Sequence, residues 1–431
     1  MKISAARAAA YAILLRVETE NAFSSSLLDK AASGLSPKDR SLCHELTLGT
    51  LRRQIWLDHV IDTLAKNKKL DVEIRIALRL GLYQIQFLGK IPAYSAINES
   101  VQLAQFAGKT SAKGLVNAVL RRAQRGIDIS ETDDPVDRLA LATSHPRWLI
   151  EKWISDIGFE ETERLADSNN RRPLISFRMT AAARDEDAVR SFARASEFTK
   201  GCFLADSFDD RLLDLAARNV IYFQDEASQM AANCVRVAGM SRILDVCAAP
   251  GSKTTLIARN IKQAEKPVFL AAGDRYPGRV GVLRKNCLDQ GAPEVSIVQY
   301  DAEAALPFAD ESFDSVLVDS PCSGTGTIRH NPEIRYRVRP EDLVELPDKQ
   351  LTILKNASKV VARGGSLIYS TCSLEPEENE AVCRLFLGRA PEFSIAPLDL
   401  NERFITESGF GRTYPQRDDM DGFFIAAFRR G

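Results

Sequence analysis

Long apolar runs are the first thing missing. Charged residues break every apolar stretch of the 431-residue chain before membrane-spanning length, so no membrane association is expected. Paired cysteines are missing too. The eight, at positions 43, 202, 234, 247, 287, 322, 372 and 383, include no Cys-x-x-Cys; this removes the usual zinc spacing, and no metal is expected. A chain this long does not lean on a disulfide framework, so its thiols point to a reduced cytoplasm. Histidine is scarce, and His145 has no second His nearby; ahead of Pro146 it reads as a residue that caps or packs a helix start. The apolar stretch Ala8–Leu15 is cut short by Arg16 and reads as helix rather than as a targeting segment.

Net charge is close to absent, at −1, but it is unevenly spread. Residues 1–125 carry 19 Lys and Arg against 10 Asp and Glu. A basic front end suggests a polyanionic partner, most simply nucleic acid; a solvated lysine-rich helical surface is the plainer alternative. The length predicts two or three domains.

What is present centres on Arg242–Thr255, Arg-Ile-Leu-Asp-Val-Cys-Ala-Ala-Pro-Gly-Ser-Lys-Thr-Thr. Ile243, Leu244 and Val246 read as a buried strand, Ala248 to Gly251 as a tight turn of small residues, and Ser252 onward as a helix. A strand, a small-residue turn and a helix N-terminus make a seat for a nucleotide-like ligand in an α/β sheet. A phosphate-cradling P-loop is excluded, because Ser252 stands directly before Lys253, where it needs a glycine. A dinucleotide fingerprint is excluded too, since only Gly251 is there. Three further strands end near Asp274, Asp301 and Asp319, as the first ends at Asp245. Asp274, 23 positions after Gly251, suits ribose hydroxyls. Strands are expected near 243–247, 268–273, 295–300, 315–319, 366–370 and 422–428, forming a parallel sheet with helices on both faces.

The loop after the fourth strand reads Asp319-Ser-Pro-Cys-Ser-Gly-Thr-Gly-Thr, and that after the fifth contains Thr371-Cys-Ser-Leu-Glu-Pro-Glu-Glu-Asn-Glu. Both should sit at the carboxyl edge of the sheet, so Cys322 and Cys372 are expected to face one cleft. Glu375, Glu377, Glu378 and Glu380 read as acids favoured at a helix start. Arg412 and Arg417 read either as contacts to RNA phosphate or as surface charge.

Upstream, residues 1–125 show helical periodicity with almost no strand signal. Residues 127–137, acidic and carrying Pro135, read as a linker. Leu174–Met179 alternates like a strand and Asp185–Ala195 reads as helix. The expected fold is therefore multidomain: an all-α domain over 1–138, a small α+β domain over 139–225 and a doubly wound α/β domain over 226–431.

Leu82-Tyr-Gln-Ile-Gln-Phe-Leu, Ile91-Pro-Ala-Tyr-Ser-Ala-Ile-Asn-Glu and Val116-Asn-Ala-Val-Leu-Arg-Arg resemble the all-helical NusB fold, implying an RNA-binding or protein-docking module. Gln224–Gln229, Asp245–Thr254, Asp319–Gly326, Tyr369–Glu380 and Asp421-Gly-Phe-Phe resemble the NOL1/NOP2/Sun family of S-adenosylmethionine-dependent RNA cytosine-5 methyltransferases. Ser252 stands where that family usually has a second Gly, and Ser320 often corresponds to Ala. The resemblance implies a Rossmann-like methyltransferase domain preceded by a ferredoxin- or RRM-like one. It also implies a monomeric enzyme acting on small-subunit (16S) ribosomal RNA. It assigns nucleophilic attack to Cys372, product release to Cys322, and a hold on cytosine to Asp319. S-adenosylmethionine would lie against Cys247, Ala248, Ala249, Pro250, Gly251, Ser252 and Lys253, with Asp274 on the ribose, Asp301 by the adenine and Asp319 alongside. Lys253 reads alternatively as a helix-surface lysine. The target base must leave its stack to reach such a pocket.

Overall fold

A computed structural model describes residues 3–32, 34–127, 133–183, 187–207, 210–264 and 267–431. The chain divides into two compact units: one is Met1–Arg172 with Ile328–Arg337, the other Pro173–Thr327 with Val338–Gly431. The middle domain expected over 139–225 is thus divided. Residues 139–172 group with the helical unit, and 173–225 with the sheet-bearing one.

In the first unit, helices α1 (Ala5–Glu20), α2 (Ser24–Ala32), α3 (Pro37–Arg52), α4 (Gln54–Leu64), α5 (Val72–Phe87), α6 (Ala93–Phe106) and α7 (Lys113–Arg125) surround one apolar core. Local chemistry sets their ends. Ser36 accepts the Asp39 N–H ahead of Pro37, which has no N–H to lose, and so starts α3. Helices α8 (Pro135–Thr143), α9 (Arg147–Ile157) and α10 (Phe159–Ser168) follow. The Asp134 carboxylate caps α8 by accepting the Val136 N–H at 2.8 Å. Of the expected linker, 128–132 lie outside the described residues. His145 is buried, its Nδ1 3.1 Å from Thr143 Oγ1 and its ring edge-on to Trp153. Burial, then the nearby Arg335 charge, drives its pKa well below the ordinary value, so it packs as a neutral ring.

The segment Ile328–Arg337 is held within this unit by its own polar groups. Arg335 is fully buried, and its guanidinium donates to the carbonyls of Arg52, Thr143, Ser144 and Asn169 at 3.2–3.3 Å and to Asn170 Oδ1 at 3.0 Å. Tyr336 Oη donates to Leu51 O at 2.6 Å. The Glu333 carboxylate accepts the Ser24 N–H at 2.7 Å and its hydroxyl at 3.0 Å, capping the start of α2. The last carbonyls of α3 and α8 have no partner within their own helices, and Arg335 supplies one cation to both ends.

The second unit holds two sheets. The smaller is antiparallel, in the order β2-β3-β1-β4, from β1 (Ile175–Met179), β2 (Arg194–Ala195), β3 (Cys202–Ala205) and β4 (Ile221–Phe223). The helix expected over 185–195 is a short one, Asp187–Arg190, followed by β2; 185 and 186 lie outside the described residues. From β1, buried Arg178 donates to Gln224 Oε1 (2.7 Å), Ser252 O (2.9 Å), Thr255 Oγ1 (2.8 Å) and Gln290 Oε1 (3.0 Å). The small sheet is thereby pinned to the first turn of the helix Ser252–Lys262.

The larger sheet runs β10-β12-β9-β8-β5-β6-β7, with β11 beside β12. Its strands are β5 (Arg242–Asp245), β6 (Phe269–Asp274), β7 (Ser296–Gln299), β8 (Phe313–Asp319), β9 (Val361–Thr371), β10 (Phe393–Ile395), β11 (Gly411–Arg412) and β12 (Phe424–Arg430). Strands β5 to β9 pair in parallel, as expected, but β12 is antiparallel to β9, and β10 and β11 are antiparallel to β12. An apolar run marks a doubly buried strand without giving its direction. Alternation assigns the faces. Leu244, Val316, Val318, Leu367, Tyr369, Phe424 and Phe428 join one core, while Ile243, Leu317, Ile368, Ile425 and Ala427 join the other. Among the described residues no helix is long and apolar enough to cross a membrane.

Candidate active site

The order of the parallel strands brings the carboxyl ends of β5, β6, β7 and β8 side by side. Strand β5 ends at Asp245, β6 at Asp274 and β8 at Asp319, while Asp301 lies just beyond the end of β7. The turn from Val246 to Gly251 crosses this edge, and Gly251 has φ +108°, a conformation that disfavours any side chain. A Cβ there would also lie 2.9 Å from Leu283 Cδ1. Ala248 donates its N–H to Gly273 O at 2.8 Å, tying the turn to β6.

Asp274 is buried; its Oδ2 accepts the Ala249 N–H at 3.3 Å and lies 3.4 Å from an Arg279 nitrogen. Asp301 is more open and pairs with Arg275 at 3.2 Å. Asp245 is fully buried beneath the turn. Thr254 Oγ1 donates to its Oδ2 at 2.7 Å, but its Oδ1 has no hydrogen-bond partner. Burial, with the Asp319 and Asp274 charges adding and Thr254 and Lys253 opposing, pushes its pKa up to about 7. A carboxyl with a raised folded-state pKa stabilises the fold at low pH and loses that contribution as pH rises through the folded value. The stability of the cofactor-free protein therefore carries a component that falls by about 4 kcal/mol between pH 4 and 7, at about 1.4 kcal/mol per pKa unit. Asp245→Asn keeps the acceptor for Thr254 and cannot ionise. Its unfolding free energy relative to wild type should rise across that window, and parallel curves would refute the buried acid.

Lys253, in the first turn of its helix, is not on the surface. It is buried, 2.7 Å from Asp319 Oδ2, with the Phe423 ring 5.1 Å away. Burial opposes its charge, but Asp319 overrides this, with smaller help from Cys372 and Asp245, and its pKa is raised. Asp319 Oδ1 also accepts the Ser370 hydroxyl at 2.9 Å. Cys247 lies in the turn, where burial first and then Asp245 push its thiol pKa upward.

Cys322 and Cys372 meet, Sγ to Sγ at 3.4 Å. The hydrogen bond with Cys372 and then burial push the Cys322 thiol well up, with the Glu378 and Asp319 charges adding. Cys322 thus stays protonated at neutral pH. The two loops are also joined through the backbone: the Gly326 N–H donates to Cys372 O at 3.0 Å and the Gly422 N–H to Gly326 O at 2.8 Å. A Cβ on Gly326 would stand 2.0 Å from Gly422 O and 2.9 Å from Cys372 O, so only glycine fits between them.

Two readings of the sequence need correction. Arg412 is buried in β11 and donates to Ser373 O at 3.4 Å and Leu374 O at 2.9 Å; it props the Cys372 loop and is not exposed to phosphate. Arg417 lies over the Tyr414 ring at 4.7 Å. The glutamates do not open a helix together, since that helix starts only at Glu380, and Glu375 and Glu378 are buried.

The donor set fits S-adenosylmethionine. Small residues keep the turn open beside β5, Asp274 offers carboxylate oxygens at the end of β6, and the buried Asp245 Oδ1 remains unsatisfied. Fold and site together define a Rossmann-like, S-adenosylmethionine-dependent methyltransferase. A model described as 16S rRNA methyltransferase RsmB/F matches residues 234–429, and one for the NusB family matches residues 4–125. The chain belongs to this RsmB/F methyltransferase family: it is 33% identical over 451 residues to the probable ribosomal RNA small subunit methyltransferase B of Bacillus subtilis, covering 100% of both chains. It is 34% identical over 445 residues to the ribosomal RNA small subunit methyltransferase B of Pseudomonas putida, covering 99% of this chain and 97% of the relative. The solved structure of PH0851 superposes with a TM-score of 0.85 at 25% identity, over 100% of both chains.

Proposed function

We propose that the protein methylates carbon 5 of a cytosine in small-subunit ribosomal RNA through a covalent bond between Cys372 and carbon 6. The observation that carries this reading is the pair of thiols 3.4 Å apart beside the Lys253–Asp319 ion pair at the carboxyl edge of the sheet. Bound S-adenosylmethionine supplies an electrophilic methyl group. The turn 247–253 would hold it, with Asp274 accepting from the ribose, Asp301 beside the adenine and Asp319 alongside.

Carbon 5 of cytosine is too poor a nucleophile to take a methyl group unaided. Addition of the Cys372 thiolate to carbon 6 converts the ring to an enamine whose carbon 5 is electron-rich. Lys253 gives the thiolate a positive neighbour, and Asp319 and Lys253 offer an acceptor and a donor to the polar edge of the base. Methyl transfer leaves S-adenosylhomocysteine; carbon 5 then gives its proton to water, the freed electron pair reforms the ring double bond, and the Cys372–carbon 6 bond breaks with its electrons returning to sulfur as the thiolate. Cys322, protonated and in contact with Cys372, is placed to donate a hydrogen bond to the departing thiolate. The base must be unstacked to lie against both thiols, so single-stranded or flipped RNA is the substrate form.

The test is product analysis. Protein-free small-subunit ribosomal RNA incubated with the enzyme and labelled S-adenosylmethionine should yield label in 5-methylcytidine after digestion to nucleosides. Label in a base methylated on an exocyclic nitrogen would overturn the reading.

A further inference from the structure

Glu378 has no part in the reaction above, yet its carboxylate is wholly buried and collects hydrogen bonds from both cysteine loops. Its Oε1 accepts the Ser323 N–H and Gln350 Nε2, each at 2.8 Å. Its Oε2 accepts the hydroxyls of Ser323 and Ser373, which are themselves 3.0 Å apart. Ser323 directly follows Cys322, and Ser373 directly follows Cys372. Two Cys-Ser dipeptides thus lie face to face, sulfur to sulfur and hydroxyl to hydroxyl, with one carboxylate across the serine end. Gln350 extends the clamp by donating to Pro321 O at 3.0 Å, and Tyr369 Oη donates to the Glu378 carbonyl at 2.6 Å.

Among the described residues no lysine or arginine pairs with this carboxylate. A buried anion held only by neutral donors is expensive, and a fold that merely had to join two loops has cheaper means. A carboxylate accepts only, so it dictates that both serine hydroxyls and the Ser323 N–H point inward. That fixes the rotamers and the relative register of the two loops. We infer that Glu378 is a positioning residue, holding Cys322 against Cys372 so that the methylated base is released. The inference rests on the two-cysteine reaction proposed above. The same negative charge adds to the forces that keep Cys322 a thiol.

The experiment compares wild type, Cys322→Ala, Glu378→Gln and the double variant Ser323→Ala/Ser373→Ala. Each is incubated with S-adenosylmethionine and protein-free small-subunit ribosomal RNA and run on a denaturing gel, with S-adenosylmethionine affinity measured by calorimetry. Glutamine keeps the shape of Glu378 but places an NH₂ where a hydroxyl must donate. A misplacement of about 1 Å costs up to about 100-fold in turnover. Glu378→Gln should bind S-adenosylmethionine within about threefold of wild type, turn over about 10–100-fold more slowly, and accumulate a protein–RNA adduct that vanishes when Cys372→Ala is added. If its cofactor affinity collapses, the serine double variant, which removes only hydroxyls, is read in its place. An adduct in Cys322→Ala, with none in Glu378→Gln or the serine variant, overturns the positioning role alone. Slow turnover without adduct in those variants does the same. Absence of an adduct in Cys322→Ala, beside an active wild type, overturns the two-cysteine reaction itself.

Discussion

Cys372→Ala is expected to lose methyl transfer by about 10⁴-fold or more, the scale seen when a covalent nucleophile is removed while binding contacts remain. Without addition at carbon 6 no electron-rich carbon 5 forms, and neither of the other thiols described at the carboxyl edge is suited to replace Cys372. Cys247, the other thiol at the carboxyl edge, is buried in the turn with its pKa pushed upward. Cys322 is held as a thiol by its bond to Cys372, by burial and by two neighbouring carboxylates. Cys322→Ala should behave quite differently. The nucleophile survives, the first adduct forms and methyl transfer proceeds once, but release is slowed.

The kinetic signatures are therefore distinct. Wild type incorporates many methyl groups per enzyme, Cys322→Ala about one before stopping, and Cys372→Ala none. Rapid-quench measurement of label per enzyme, at enzyme in excess and at RNA in excess, separates them. Equal losses in both variants, with no stoichiometric burst from Cys322→Ala, would remove the division of labour. Lys253 bears on the same contrast, because in the proposed reaction its charge, fixed by Asp319 at 2.7 Å, would serve thiolate attack rather than release.

The parts of this site that are local in the chain are legible in the sequence. Strand, small-residue turn and helix lie within Arg242–Thr255, and each strand-ending aspartate announces itself by position alone. The two cysteine loops were likewise legible, because parallel strands deliver their following loops to a common edge. What escaped depends on partners far apart in sequence. Lys253 is assigned to the cofactor loop by the resemblance, with a helix-surface lysine as the alternative, but its ion pair with Asp319, 66 residues on, has no local signal. Glu378 sits in a run of glutamates that looks like a helix start, and only Ser323, 55 residues earlier, reveals it as a clamp. Arg412 looks like a basic surface residue until the Ser373 and Leu374 carbonyls reach it. Strand direction escaped for a related reason: the alternation that divides Phe424 from Ile425 is the same for either orientation.

A large loss of stability at neutral pH is expected from Arg335→Met, at a residue that the sequence assigns to the methyltransferase domain and the structure assigns to the helical unit. Methionine fills much of the volume but donates nothing. The carbonyls of Arg52, Thr143, Ser144 and Asn169 would then lie buried without the guanidinium that reaches all of them. Hydrogen bonds to a charged group contribute about 1.5–3 kcal/mol each, though not additively. Burial of the cation works the other way, and pushes the Arg335 pKa down to about 10. Set against that desolvation, the net loss is expected to be about 3 kcal/mol, roughly 6–12 °C in the melting of a unit this size. Arg335→Lys should recover little of it, because a single ammonium cannot span acceptors at the ends of both α3 and α8. Thermal unfolding of wild type and both variants checks this. A melting midpoint for Arg335→Met within about 2 °C of wild type would mean that the two helix ends do not need the cation.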